Sequence, residues 1–106
     1  MSEEVVAVFV VSRLGCIEDV DDAGCALLGY SRDELLALHG SELVPPAERP
    51  TVAVSLDGMR RGALSAADGH LMRKDGSTVA VAVQSRLLGE GRMALRVTPA
   101  GGAAAH

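Results

Sequence analysis

Along this chain, a continuous apolar run near the start and alternating apolar stretches near the end flank a stretch in which apolar residues repeat every third or fourth position. Near the start, "VVAVFVV" (Val5 to Val11) is β-branched and too short for a buried helix, so it predicts a strand. It is apolar at every position, unlike the alternation of a strand with one wet face. "SRLG" turns the chain, and "CIEDV" (Cys16 to Val20) predicts a second short strand. The next segment, "VDDAGCALLGYSRDELLAL", predicts two short helices with a break between them. Asp21 or Asp22 caps the first and Gly29 ends it, while Ser31 and Glu34 form a capping box at the second. Helices this short are unstable alone in water, so a larger surface has to hold them.

"HGSELV" predicts a further turn, and "PPAERP" breaks the chain at Pro45, Pro46 and Pro50. Thr51 is expected to cap a longer helix, "VAVSLDGMRRG", in which Val52, Leu56 and Met59 share one face. Arg60 and Arg61 fall near its C-terminal end, where cations are favoured. From Leu64 the period changes to two. "LSAADGHLMRKDGSTVAVAVQSRLLGEGRMALRVTP" predicts three strands joined by turns at "KDGS" and "GEG", with Asp75-Gly76 a strong hairpin signal. Val79, Val81 and Val83 alternate with Ala80, Ala82 and Gln84, and Met93, Leu95 and Val97 with Ala94, Arg96 and Thr98. Two strands, several short helices and three strands make an α+β domain, an antiparallel sheet with helices on one side. The domain is expected over residues 1–99, and "AGGAAAH" (100–106) as a disordered tail or cloning remnant.

Composition narrows this picture. A chain of 106 residues builds one domain with one modest core. Because 48% of the residues are hydrophobic and only 2% aromatic, Val, Leu, Ala and Met must fill that core. The net charge of −4 argues against a nucleic-acid or anionic-membrane surface. Every basic residue but Lys74 is Arg, a bias of GC-rich coding that suggests a bacterial source. No apolar run approaches the roughly 20 residues needed to cross a bilayer. The acidic start is unlike a signal peptide, so a cytoplasmic protein with Cys16 and Cys25 as free thiols is expected.

In order and spacing the local motifs resemble a PAS domain over Val5 to Thr98. The family's "V-N-x-A" step is "VDDA" here, with Asp21 in place of Asn. Its "L-x-G-Y-s-x-x-E-L" is matched by Leu27, Gly29, Tyr30, Ser31, Glu34 and Leu35, and its "R-K-D-G-S" hairpin by Arg73 to Ser77. The resemblance implies a five-stranded antiparallel sheet in order 2-1-5-4-3 with helices over one concave face that can enclose a ligand. It also implies a sensory or dimerisation module rather than an enzyme. Two departures stand out. The "D-I-T" sequence that often couples the last strand to an output helix is replaced by "RVTPAGG", and no amphipathic helix precedes Val5. An excised or free-standing sensor is therefore expected.

The cofactor signatures of the family are missing. Flavin photosensors carry an Asn-Cys-Arg-Phe-Leu-Gln run where this chain has "HGSELVPP", and haem-binding members place a His on the long helix, where Val52 to Arg61 has none. No chromophore-attaching Cys with acid partners is evident, and no catalytic triad, phosphate loop or metal-ligand spacing is legible. Cys25 is expected to be a buried packing residue. His39 is expected to favour the C-terminal end of a helix, and His70 to lie in a strand.

Two functional expectations follow. The first is a small apolar ligand between the long helix and the sheet, lined by Leu28, Leu35, Leu43, Val52, Leu56, Met59, Val83 and Leu95. With so few aromatic residues an aliphatic ligand fits better than a flavin or haem ring, and a core filled by these side chains is the alternative. The second is a homodimer through a contiguous apolar outer sheet face bearing Val5, Ala7, Phe9, Val11, Ala80, Ala82 and Ala94. A one-residue shift swaps the faces, so the phase of these strands stays open.

Overall fold

A computed structural model describes residues 6–63 and 65–100. The strand β1 (Ala7–Val11) turns into β2 (Ile17–Val20), and the helices α1 (Asp22–Leu28) and α2 (Arg32–Leu36) follow. Two 3-10 turns, Gly40–Leu43 and Pro46–Glu48, lead into α3 (Arg49–Arg60). The chain ends in β3 (Ala66–Met72), β4 (Thr78–Gly89) and β5 (Arg92–Pro99). The five strands form one antiparallel sheet in the order β2-β1-β5-β4-β3, as the resemblance implies. Val5, Leu64 and residues 101–106, which include most of the expected tail, lie outside the described residues.

Pairing sets the phase of every strand. Phe9 stands opposite Val20 on one side and Leu95 on the other. In the sheet's period of two this turns Ala7, Phe9, Val11, Met93 and Val97 to the helix side, all of them buried. Three residues expected on the outer face, Ala7, Phe9 and Val11, therefore belong to the core instead. The strand is apolar on both faces, so its sequence carries no phase; Val8 and Val10 are the residues that face outward. Ala80, Ala82 and Ala94 do lie on that outer face, but it is not contiguously apolar. Arg96 crosses it between Val8 on β1 and Gln84 on β4.

The two short helices are held by the clips their sequence announces. Asp21, rather than Asp22, caps α1: one carboxylate oxygen accepts the Gly24 N–H at 2.9 Å and the Val8 N–H of β1 at 3.1 Å. Gly29 closes that helix in the left-handed region at φ 77°, donating to the Cys25 carbonyl. At α2 both halves of the Ser31–Glu34 capping box are formed. The β3–β4 hairpin then locks both helices. Lys74 N–H donates to the Leu28 carbonyl at 2.9 Å, and Arg73 Nε to the Leu27 carbonyl at 3.2 Å. Lys74 Nζ reaches Glu34 Oε2 at 2.6 Å. The "R-K-D-G-S" turn and the "G-Y-S-x-x-E" helix, 40 residues apart, are thus one joint.

Other expectations need correction. Thr51 caps nothing; α3 begins at Arg49, with Pro50 inside its first turn, where a missing N–H costs no helical hydrogen bond. "HGSELV" is a capped 3-10 helix rather than a plain turn. Cys25 is half-buried against the core rather than enclosed by it, and Cys16 is exposed.

Close approach of α1 to the sheet depends on Gly24. A Cβ there would stand 2.6 Å from Val20 Cγ2 and 3.1 Å from Phe9 Cζ. Gly24→Ala raises intrinsic helix propensity by about 1 kcal/mol. It is nonetheless expected to destabilise the domain by about 1–3 kcal/mol, because a stiff buried valine must give way. Urea midpoints check this, and a stabilised variant would refute the contact. Hydrogen bonding from Lys74, and then from the Ser31 N–H, holds the Glu34 carboxyl below the usual glutamate range. A carboxyl lowered by folding stabilises above its unfolded pKa, and that contribution is lost as pH falls through the folded value. Lys74→Met is therefore expected to be less stable than the parent at pH 7. The gap should close as pH falls from about 5 to 3, read from urea midpoints across that range.

Candidate functional site

A cavity of about 230 Å³ opens between α3 and the inner face of the sheet. Its floor is built by alternate residues of the strands, Phe9 and Val11 of β1, Val81 and Val83 of β4, and Leu95 and Val97 of β5. Its roof is the apolar stripe of α3, Val52, Leu56 and Met59, with Leu43 from the 3-10 helix at one side. The space exists because two successive inward positions of β3 carry little or no side chain. The inward positions there are Ala67, Gly69 and Leu71, facing Val83, Val81 and Val79 on β4. Nothing but Glu48 Oε1, at 3.8 Å, lies within 4 Å of a Cβ built on Gly69. A glycine inside a strand commonly marks a place where something approaches the backbone closely.

Six of the eight expected pocket residues line this cavity: Leu43, Val52, Leu56, Met59, Val83 and Leu95. Leu28 and Leu35 do not; both are fully buried in the main core with α1 and α2. The polar rim comes from segments far apart in the chain and is not legible in the sequence. Glu48 accepts the His70 N–H at 3.2 Å with Oε1 and contacts His70 Nδ1 at 2.7 Å with Oε2, tying the approach to α3 to the edge strand β3. Arg49 Nε donates to the Ser41 and Val44 carbonyls at 3.0 and 3.1 Å.

His39 stands on this rim, and its role differs from the expected one. It caps the 3-10 helix, with Nδ1 accepting the Ser41 N–H at 3.1 Å. Its Nε2 lies 2.6 Å from the Leu14 carbonyl, so that nitrogen carries the proton and Nδ1 is the acceptor. The ring lies against Gly15, where a Cβ would stand 2.6 Å from Nε2, and Gly40 N–H donates to the Gly15 carbonyl at 2.8 Å. The β1–β2 turn is thereby fastened to the cavity wall. The single cue in the sequence is the spacing of His39 and Glu42, a capping box with an unusual first member.

No family model and no curated protein matches the chain. Solved structures do. A domain of the sensory box sensor histidine kinase/response regulator from Geobacter sulfurreducens superposes with a TM-score of 0.77 at 26% identity, over 91% of this chain and 83% of that one. The PAS domain of HTR-like protein from Haloarcula marismortui gives 0.67 at 27% identity, over 90% and 79%. The fold is that of a PAS domain. A further PAS domain, from the quorum-sensing receptor RpfR of Cronobacter turicensis in complex with C12:0, superposes at 0.77 with 17% identity, over 93% and 97%. In this PAS domain no helix among the described residues is long and apolar enough to cross a membrane.

If the space beside Gly69 is open, filling it should help the unliganded domain. Gly69→Leu is expected to raise stability by about 1–2 kcal/mol through burial of its side chain against α3. Thermal and urea midpoints read this; a destabilised variant would mean that α3 already occupies the space.

Proposed function

We propose that this PAS domain is a sensory signal-transduction module that holds a small apolar ligand beneath α3. The observation that carries the reading is the apolar cavity of about 230 Å³ in so small a domain. A dry cavity of about 150 Å³ lined by aliphatic and aromatic residues already binds benzene. By that ratio this one holds about nine carbon-sized atoms. The open volume favours a ligand over the alternative of a core filled by its own side chains. The RpfR domain of the same fold, solved with C12:0, supports an aliphatic occupant. Among the described lining residues Phe9 is the one Phe, Tyr or Trp, so the reading assigns no flavin or haem, and it includes no catalytic step.

The mechanism is a shift of populations. An occupant that contacts both α3 and β3 stabilises the arrangement in which the two are packed together, and whatever reads that arrangement receives the signal. Homodimerisation through the outer sheet face is the second element of the proposal. Val8, Val10, Ala80, Ala82 and Ala94 stand there with no covering helix among the described residues and with Arg96 across the middle.

A native mass spectrum of the protein as purified tests both elements. The expected result is a dimer at tens of micromolar carrying an extra mass that denaturation removes. A bare monomer that gains no mass and no thermal stability from any aliphatic compound would overturn the reading.

A further inference from the structure

The charged groups on the cavity rim are not all paired with one another. Glu48 is already engaged by His70 through both oxygens. Asp68, also at the rim, sits in the outward register of β3 opposite Ala82. Among the described residues, neither of the two arginines on the rim, Arg49 and Arg60, has a carboxylate within ion-pair distance. The two are held differently. Arg60 Nε makes one long hydrogen bond, 3.3 Å to the Gly91 carbonyl. Arg49 Nε is shared between two carbonyls, which fixes the plane of its guanidinium. Arg49 is solvent-exposed, and among the described residues its terminal nitrogens have no protein hydrogen-bond partner. A guanidinium anchored through Nε presents a rigid pair of N–H donors, the geometry that matches the two oxygens of a carboxylate.

We infer that the occupant is a single-chain aliphatic monocarboxylate of about eight to ten carbons, its head on Arg49 and its tail beside Gly69. The inference rests on the reading of the cavity as a ligand site. Chain length follows from the volume, and the unbranched shape from the trough left by two small inward residues in succession, Ala67 and Gly69. The carboxylate replaces water on the exposed fork at the start of α3 while the tail fills the space between that helix and β3. One molecule thus contacts both sides of the cavity.

Calorimetric titration with decanoate and with 1-decanol, on the wild type and on Arg49→Gln, Arg49→Lys and Gly69→Leu, separates the claims. Wild type is expected to bind decanoate at least tenfold more tightly than the alcohol. Arg49→Gln should lose that tenfold preference while keeping its affinity for decanol. Arg49→Lys, which keeps the charge and loses the fork, should fall between them, and so serves if the Gln variant does not fold. Equal binding of decanoate by the wild type and both Arg49 variants overturns the head-group assignment and leaves the cavity reading intact. Failure of the wild type to bind either compound, or undiminished binding of both by Gly69→Leu, overturns the cavity reading itself.

Discussion

The pairing of β1 between β2 and β5 is the constraint on which the rest of the domain depends. Once Phe9 lies opposite both Val20 and Leu95, the period of two sends one face of all five strands inward. That face has to be covered. None of the helices that cover it is long enough to be stable alone, and α1 and α2 are tied down from neighbouring segments. Asp21 fixes the start of α1 to β1, Arg73 and Lys74 close its end from the β3–β4 hairpin, and the same Lys74 holds α2 through Glu34. The covering layer is thereby a set of short pieces pinned to the sheet by backbone caps and exposed ion pairs.

What the cover lacks is bulk. With one Phe, one Tyr and no Trp, the side chains have little volume to spare, and the strand under α3 offers Ala67 and Gly69 where larger residues would close the gap. The shortfall collects in one place because α1 comes as close to the sheet as Gly24 permits, while α3 stands off on Val52, Leu56 and Met59. A cavity of this kind is lined by atoms that lack packing partners on one side, and an apolar occupant restores those contacts. The sensory reading grows out of that imbalance.

Much of this was legible in the chain because it is local. The Ser31–Glu34 box, the left-handed Gly29 and the Asp75-Gly76 turn are each specified within a few residues, and each forms as expected. So does the α3 stripe, whose spacing is helical whatever it packs on. The phase of β1 was not legible, since Val, Ala and Phe suit either face and only the partners decide. Pro50 misled for a related reason: a proline that ends one helix can equally sit in the first turn of another. The rim was the least visible part. His39 with Leu14, Glu48 with His70 and Arg49 with Ser41 join residues brought together only by the sheet and the 3-10 turn.

The central claim is that α3 is the weakly supported wall of an apolar cavity and that an occupant is what fastens it. Amide hydrogen exchange followed residue by residue, with and without decanoate, tests it directly. Amides of α3 should exchange much faster than those of β4 and β5 in the free protein and slow markedly when the acid is added, with β1 and β5 unchanged. Protection of α3 equal to that of the sheet in the free protein, and indifferent to the acid, would contradict the account.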